Sequence, residues 1–97
     1  MAPYIILGKL THEALKNIKD IKERDSKGEQ IVQAAGGKLL ANYYTFGRYD
    51  FVIIVDMPSP ESLGKVLIEV GKWGTITTET MTAILPERMY KLAKESS

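Results

Sequence analysis

The sequence predicts an α+β fold with the element order β-α-β-β-α-β and a short extra helix at the end of the chain. Three observations support this fold class: a helical period follows the first strand-like segment, a short Gly-Arg turn joins two further strand-like segments, and a capped amphipathic helix precedes a threonine-rich segment. At 97 residues the chain is long enough for one small domain, so residues 1–97 are expected to form a single unit.

The first strand is predicted at residues 4–11, which begin with a β-branched and aromatic run. Thr11 can cap the helical region that starts at His12 and ends at a Gly-Gly pair, residues 36–37. An interruption is expected inside this region. Residues 26–29, Ser-Lys-Gly-Glu, have the pattern of a capping box, but this pattern would also place a glycine in the first turn, so the sequence leaves the position of the interruption open.

A β-hairpin is predicted next, because two strand-like segments, residues 38–46 and 49–57, flank a Gly-Arg pair. The second of these strands is apolar on both faces of its pleat, so both of its faces must be covered. Its apolar residues are Phe51, Ile53 and Val55 on one face and Val52 and Ile54 on the other.

The second main helix has the clearest start signal in the chain. Ser59 can act as its N-cap, Pro60 suits the first helical turn, and Glu61 favours the positive end of the helix dipole. Gly71 is expected to end it. A fourth strand is predicted from about residue 73 to 85, and Pro86 opens the short final helix.

This element order is the split βαβ, or ferredoxin-like, arrangement: a four-stranded antiparallel sheet with two helices on one face. No helix remains to cover the opposite face. Because the third strand is apolar on both sides, this open face is predicted to pack against a second copy, which makes the protein a homodimer or a higher homo-oligomer. The alternative is that the face stays half-exposed in a monomer.

The composition excludes several kinds of site. The chain has 13 Lys+Arg against 12 Asp+Glu and a net charge of +1, which argues against nucleic acid as a partner. With no cysteine and one histidine, it cannot form a disulfide, a zinc-thiolate cluster or a multi-histidine metal site within one chain. No metal, cofactor or membrane partner is expected, and a cytoplasmic location is predicted because no signal peptide or apolar span is recognised.

The most distinctive local feature is the turn between the hairpin strands, formed by Phe46, Gly47, Arg48, Tyr49 and Asp50. In the structural interpretation, the glycine allows the reversal and the acid accepts turn hydrogen bonds. In the functional interpretation, Arg48 and Asp50 hold the two ends of a small polar metabolite. Strand alternation predicts Arg48 and Asp50 on one face and Tyr49 and Phe51 on the other, with Arg48 and Asp50 pairing with each other if they bind nothing.

His12 is the candidate catalytic residue, because it lies where the first strand passes into the helix. As a general base it would need a pocket between the sheet and the helices, which Tyr43, Tyr44 or Trp73 could line. The simpler interpretation is an exposed residue in the first turn of a helix.

These residues resemble those of the GYD domain family, named for the motif present here at residues 47–50. The likeness runs from about residue 4 to 85. It includes the strand end at Thr11, the Gly-Gly-Lys segment before the second strand, and Gly74 with the threonine-rich segment after it.

The resemblance implies a ferredoxin-like fold related to the dimeric α/β-barrel group. That group includes cofactor-independent monooxygenases, small isomerases and the ligand-binding module of leucine-responsive regulators, in which a similar hairpin helps bind amino acids between subunits. Carried over to this sequence, the resemblance implies ligand-binding roles for Gly47 and Asp50, with Tyr49 as a third residue; Thr11 and Arg48 complete the predicted site.

Three functions remain open at this point. The leading hypothesis is a homo-oligomeric module that binds or senses a small polar metabolite at the turn. The first alternative is a small cofactor-independent enzyme, of monooxygenase or isomerase type, with a pocket between sheet and helices. The second is an oligomerisation module without a ligand.

Overall fold

The computed structural model describes residues 1–96 and confirms the α+β, ferredoxin-like arrangement. A four-stranded antiparallel sheet carries its main helices on one face, and a short helix follows the last strand. The strands are β1 (Ala2–Leu10), β2 (Lys38–Tyr44), β3 (Phe51–Met57) and β4 (Ile76–Thr82), and the helices are α1 (His12–Lys16), α2 (Ile21–Ala34), α3 (Pro60–Gly71) and α4 (Pro86–Glu95).

The strand order in the sheet is β2-β3-β1-β4. The two central strands, β1 and β3, are therefore hydrogen-bonded on both sides, which suits their nearly continuous apolar sequences. The register aligns Leu7 of β1 with Val52 of β3 and Glu79 of β4. One irregularity interrupts the β2–β3 ladder between Leu39 and Ala41, where β2 contains an extra residue.

The first helical region is interrupted between α1 and α2, at residues 17–20. Thr11 caps α1 as predicted, since its Oγ1 accepts a hydrogen bond from the Ala14 N–H at 3.3 Å. A 3₁₀ turn at Ile18–Asp20 then leads directly into α2. The capping-box interpretation of residues 26–29 is wrong, because these residues lie inside α2. Their backbone N–H groups are already paired within the helix and need no cap.

The start signal of α3 is confirmed. Ser59 lies in an extended conformation before the helix, and its hydroxyl accepts a hydrogen bond from the Ser62 N–H at 3.1 Å. Pro60 occupies the first turn, and Leu63 and Val66 are buried against the sheet. The helix ends at Gly71, as expected.

The hydrophobic core lies between the sheet and the helices α2 and α3. Its most deeply buried side chains are Val55 and Met57 of β3, which contact residues of β1, α2 and α3 in one cluster. Gly8 of β1 allows the Phe51 ring to lie directly against the backbone, since a Cβ atom on Gly8 would overlap that ring. The ring therefore fixes how β1 and β3 pack.

The opposite face of the sheet has no helix over it in the described chain, and α4 does not pack against the domain, since every residue of Pro86–Glu95 is exposed. The molecule measures 53 × 31 × 17 Å, with a radius of gyration of 15.0 Å. A compact chain of this length would have a radius of gyration of about 12.5 Å. The single chain thus leaves the open face and α4 in water. Among residues 1–96, no helix has the length and apolar character needed to span a bilayer.

Candidate functional site

The turn between β2 and β3 is closed by hydrogen bonds of its own. The backbone N–H of Thr45 donates to the Asp50 carbonyl at 2.9 Å, and the Thr45 hydroxyl donates to the Tyr49 carbonyl at 2.6 Å. Gly47 has a φ of +155°, where side chains are rarely found, although no neighbouring atom would obstruct a Cβ there. The backbone conformation, and not a lack of space, therefore favours glycine at this position.

Asp50 ties this turn to the end of β1. Its Oδ2 accepts a hydrogen bond from the Leu10 N–H at 2.8 Å, and its own N–H donates to the Gly8 carbonyl at 2.7 Å. The ion pairs in the described chain are Lys27–Glu23 and Lys72–Glu69, so Arg48 and Asp50 do not pair with each other. The carboxylate thus bonds the backbone of β1 and not an N–H of the turn, so the predicted turn hydrogen bond and the predicted Arg48–Asp50 pairing are both wrong.

Arg48 and Tyr49 form a second unit at the same turn. The Arg48 guanidinium lies 5.5 Å from the centre of the Tyr49 ring, and the Tyr49 hydroxyl donates to Glu79 Oε2 at 2.6 Å. The hydrogen bond to Glu79 raises the pKa of Tyr49 above its usual value. Through this bond Tyr49 reaches the open face, where the side chain of Glu79 lies beside Leu7.

One predicted placement is wrong. Tyr49 reaches the open face, whereas Phe51 is buried on the helix side against Gly8, so the two side chains do not share a face. The physical reason is that regular alternation begins only at Phe51, the first residue of β3. Tyr49 belongs to the turn, where a side chain's direction is set by the loop backbone.

Thr11 lies at the same end of β1, where its backbone N–H donates to the Thr75 carbonyl at 3.0 Å. Its hydroxyl donates to the Gly74 carbonyl at 2.8 Å, in addition to capping α1. His12 follows it and is exposed at the start of α1. The structure therefore brings Thr11 and Asp50 to one end of β1, and it leaves His12 outside the cavity described below.

Phe46 is the first residue of the predicted turn and lies beyond the end of β2 at Tyr44. Its side chain is 101% exposed, so no other part of the domain covers it. The sequence pattern assigns Phe46 both to the end of the predicted strand and to the start of the turn, and the structure places it in the turn.

A cavity of about 100 Å³ lies between the sheet and the helices α2 and α3. Its walls are mostly apolar and come from both layers; they include Ile6, Phe51, Ile53, Val66, Leu67 and Trp73. Tyr44 and Trp73 line it, as the enzyme hypothesis expected. Tyr43 does not, because it pairs with Val52 and so faces the open side of the sheet.

The mouth of the cavity is polar. Arg24, Asp25 and Glu29 of α2 and Tyr44 of β2 contribute to it. The Tyr44 hydroxyl donates to Asp25 Oδ2 at 2.7 Å. Partial burial, together with this hydrogen bond to a carboxylate, raises the pKa of Tyr44 well above its usual value. Tyr44 therefore stays neutral through the ordinary pH range and acts as a hydrogen-bond donor.

The protein family of the chain is identified by comparison with known families. The profile of the GYD domain matches residues 4–93. The chain belongs to the GYD domain family. This GYD domain is also similar to a curated protein of Thermus thermophilus named glutamine synthetase and cystathionine beta-lyase binding protein. The two are 27% identical over 88 residues, which cover 87% of this chain and 90% of the relative.

Solved structures resemble the GYD domain in fold. MtbAldR superposes with a TM-score of 0.66 at 15% identity over 87% of this chain, and this chain spans about half of that protein, 53%. FFRP-DM1 gives a TM-score of 0.61 at 21% identity, covering 87% of this chain and 100% of that one. A hypothetical protein of Pyrococcus horikoshii, PHS023, gives 0.60 at 22% identity, covering 88% and 92%. At these identities the likeness shows the fold alone.

Proposed function

We propose that this GYD domain is a homo-oligomeric binding module that pairs through the open face of its sheet and binds a small polar ligand at the turn. The composition of the open face is the main support for pairing between copies. Its centre is apolar, formed by Ile5 and Leu7 of β1 and Val52 and Ile54 of β3, all only partly buried in the single chain. An apolar centre with a polar rim is the usual anatomy of a protein interface.

The rim favours a second copy as the occupant of this face. Lys38 stands opposite Asp56 near one end of the sheet, while Lys9 and Glu79 lie towards the other. Each end thus carries both signs of charge, so a copy related by a two-fold axis can place opposite charges together at either end.

The size of the face is also consistent with a dimer. One strand of nine residues and three of seven form a flat area of about 20 Å by about 23 Å, or about 450 Å² per copy. A standard interface buries about 800 Å² per partner, so further contacts are needed. Helix α4 can supply them, since its apolar residues Met89 and Leu92 are more than half exposed, at 53% and 54%.

At the turn, Arg48 is the side chain best placed to bind a ligand. Its guanidinium lies against the Tyr49 ring, it is exposed, and neither ion pair of the described chain includes it. A guanidinium held in this way suits a carboxylate or another anionic group of a small ligand. In this arrangement Gly47, Asp50 and Thr11 shape the site, whereas Arg48 and Tyr49 contact the ligand.

A specific observation favours a second candidate, protein binding at the same turn. Phe46 is fully exposed beside Arg48, and aromatic and arginine side chains dominate the binding energy of many protein interfaces. The Thermus relative is named as a binding protein of two enzymes. Phe46→Ser would abolish binding to a purified enzyme partner such as glutamine synthetase, but it would leave the binding of a small ligand through Arg48 unchanged.

The pairing is tested by light scattering on a size-exclusion column. Ile54→Lys places a charge at the centre of the open face and is expected to give a folded monomer. Ile68→Lys is the matched control, because Ile68 of α3 is equally apolar, is 63% exposed and lies on the helix side. The control should keep the mass of the wild-type oligomer, and an Ile54→Lys variant that also keeps it would contradict the proposed interface.

The ligand site is tested by native mass spectrometry of the gently purified protein. A retained small molecule in the wild type, lost in Arg48→Ala while the oligomer persists, is the expected result. A molecule retained equally by the wild type and Arg48→Ala would contradict the role given to the turn.

A further inference from the structure

The cavity between the sheet and the helices has features that the packing of the domain does not explain. The first is Gly28, which lies in the middle of α2 and lines the cavity. A glycine inside a helix costs about 0.5–1 kcal/mol relative to alanine. A Cβ atom on Gly28 would meet no atom within 4 Å, so no neighbour in the chain requires the glycine. Its effect is to keep the space in front of α2 open.

The second feature is Thr75, a polar residue within the apolar wall. Thr75 lines the cavity and is only 9% exposed. Its backbone carbonyl is paired with Thr11, but its hydroxyl makes no hydrogen bond to another residue in the described chain. No buried side-chain N or O atom of the described residues lacks a hydrogen-bond partner, so this unpaired hydroxyl is not sealed in the core. Because Thr75 lines the cavity, the hydroxyl is a candidate partner for a polar atom of a ligand.

The third feature is the charge at the mouth. Asp25 and Glu29 are four residues apart on α2, so they lie on the same side of the helix. Neither belongs to an ion pair within residues 1–96. The one cation of the mouth, Arg24, donates to the carbonyls of Ala14 and Asn17 at 3.3 Å each, and so points towards the end of α1. The mouth therefore carries a net negative charge.

We propose that this cavity binds a small primary amine, with an apolar group inside and the ammonium group at Asp25 and Glu29. The apolar group would be about the size of a phenyl ring or a branched alkyl chain, because a cavity of about 150 Å³ suffices for benzene and this one, of about 100 Å³, is open at its mouth. This site is separate from the turn and goes beyond the function proposed above.

Benzylamine is the probe, and benzyl alcohol and benzoate have the same ring with a neutral and an anionic end. Trp73 lines the cavity and is the one tryptophan of the sequence, so its fluorescence reports occupancy directly. Benzylamine is expected to bind about fivefold or more tightly than benzoate, with benzyl alcohol between them. Asp25→Asn combined with Glu29→Gln should remove this order. Equal binding of benzylamine and benzoate to the wild type would overturn the assignment of an amine.

A pair of glycine substitutions tests the location. Gly28→Leu should fill the cavity and weaken benzylamine binding by about tenfold or more. Gly64→Leu is the matched control, since Gly64 also lies inside a helix, also has no atom within 4 Å of a Cβ, and does not line the cavity. Should Gly28→Leu not fold, Gly28→Ala replaces it; alanine should raise the melting temperature and still weaken binding. Wild-type affinity in a folded Gly28 variant would overturn the proposal.

Discussion

The substitution Asp50→Ala is expected to destabilise the domain, because it removes the acceptor of the Leu10 N–H. The bond is short, at 2.8 Å, partly buried, and joins residues 40 positions apart. A hydrogen bond to a charged group contributes about 1.5–3 kcal/mol, so we expect the free energy of unfolding to fall by about 2 kcal/mol. For a domain of this size, that corresponds to a fall of about 8–16 °C in the melting temperature. Asp50→Asn keeps an oxygen acceptor and should lose less than half of this amount.

The assay is thermal and urea unfolding followed by circular dichroism at one protomer concentration, since the stability of an oligomer depends on concentration. Asp20→Ala is the control, because Asp20 is exposed and its side chain makes no capping hydrogen bond to α2. The control should stay within about 0.5 kcal/mol of the wild type. An Asp50→Ala variant that also stays within that range would refute the structural role of the carboxylate.

Three further substitutions test other parts of the fold. Gly8→Ala should cost about 2 kcal/mol or more, because the new Cβ overlaps the Phe51 ring and displaces it; urea unfolding measures the loss. Ser59→Ala should cost about 1 kcal/mol by removing the cap of α3, seen as a lower melting temperature. The pKa of Tyr44 is raised in the folded protein above its value of 10.0 in the unfolded chain. Above about pH 10 the unfolded chain therefore loses the Tyr44 proton before the folded protein does, and the free energy of unfolding falls. The free energy of unfolding of Tyr44→Phe should therefore fall less steeply with pH than that of the wild type above about pH 10, as unfolding curves at several pH values would measure.

Each of these predictions has a control or a contrary result. Gly71→Ala should be harmless, since a Cβ on Gly71 meets no atom within 4 Å. Ser26→Ala should not destabilise the protein, because Ser26 is exposed inside α2 and caps no helix. If the wild type and Tyr44→Phe lose stability with pH at the same rate, the raised pKa of Tyr44 is contradicted.

The elements with strong local signals could be predicted from the sequence. Ser59 and Pro60 define the start of α3 by interactions within one helical turn, and Thr11 does the same for α1. The two apolar faces of β3 follow from a period of two, and they also indicate an uncovered sheet face. These features depend on residues close together in the chain, which is why the pattern alone was sufficient.

Features that depend on distant partners could not be predicted. The partner of Asp50 is a backbone N–H on β1, and no spacing in the sequence identifies it. Helix α2 starts at Ile21 without a side-chain cap, and Arg24 bonds the carbonyls of Ala14 and Asn17 across the break; no spacing in the sequence identifies these bonds. The cavity depends on the distance between α2 and the sheet. The enzyme hypothesis expected a pocket there with Tyr44 and Trp73 in its wall, but neither its size nor the acidic residues at its mouth could be predicted.

The central claim is that the open face of the sheet joins copies of this chain. Native mass spectrometry of the wild-type protein at micromolar concentration tests it most directly. The account predicts a mass of two or more chains of 10.8 kDa each. A mass of one chain under the same conditions would contradict it, because the apolar centre of the sheet face and helix α4 would then remain exposed to water.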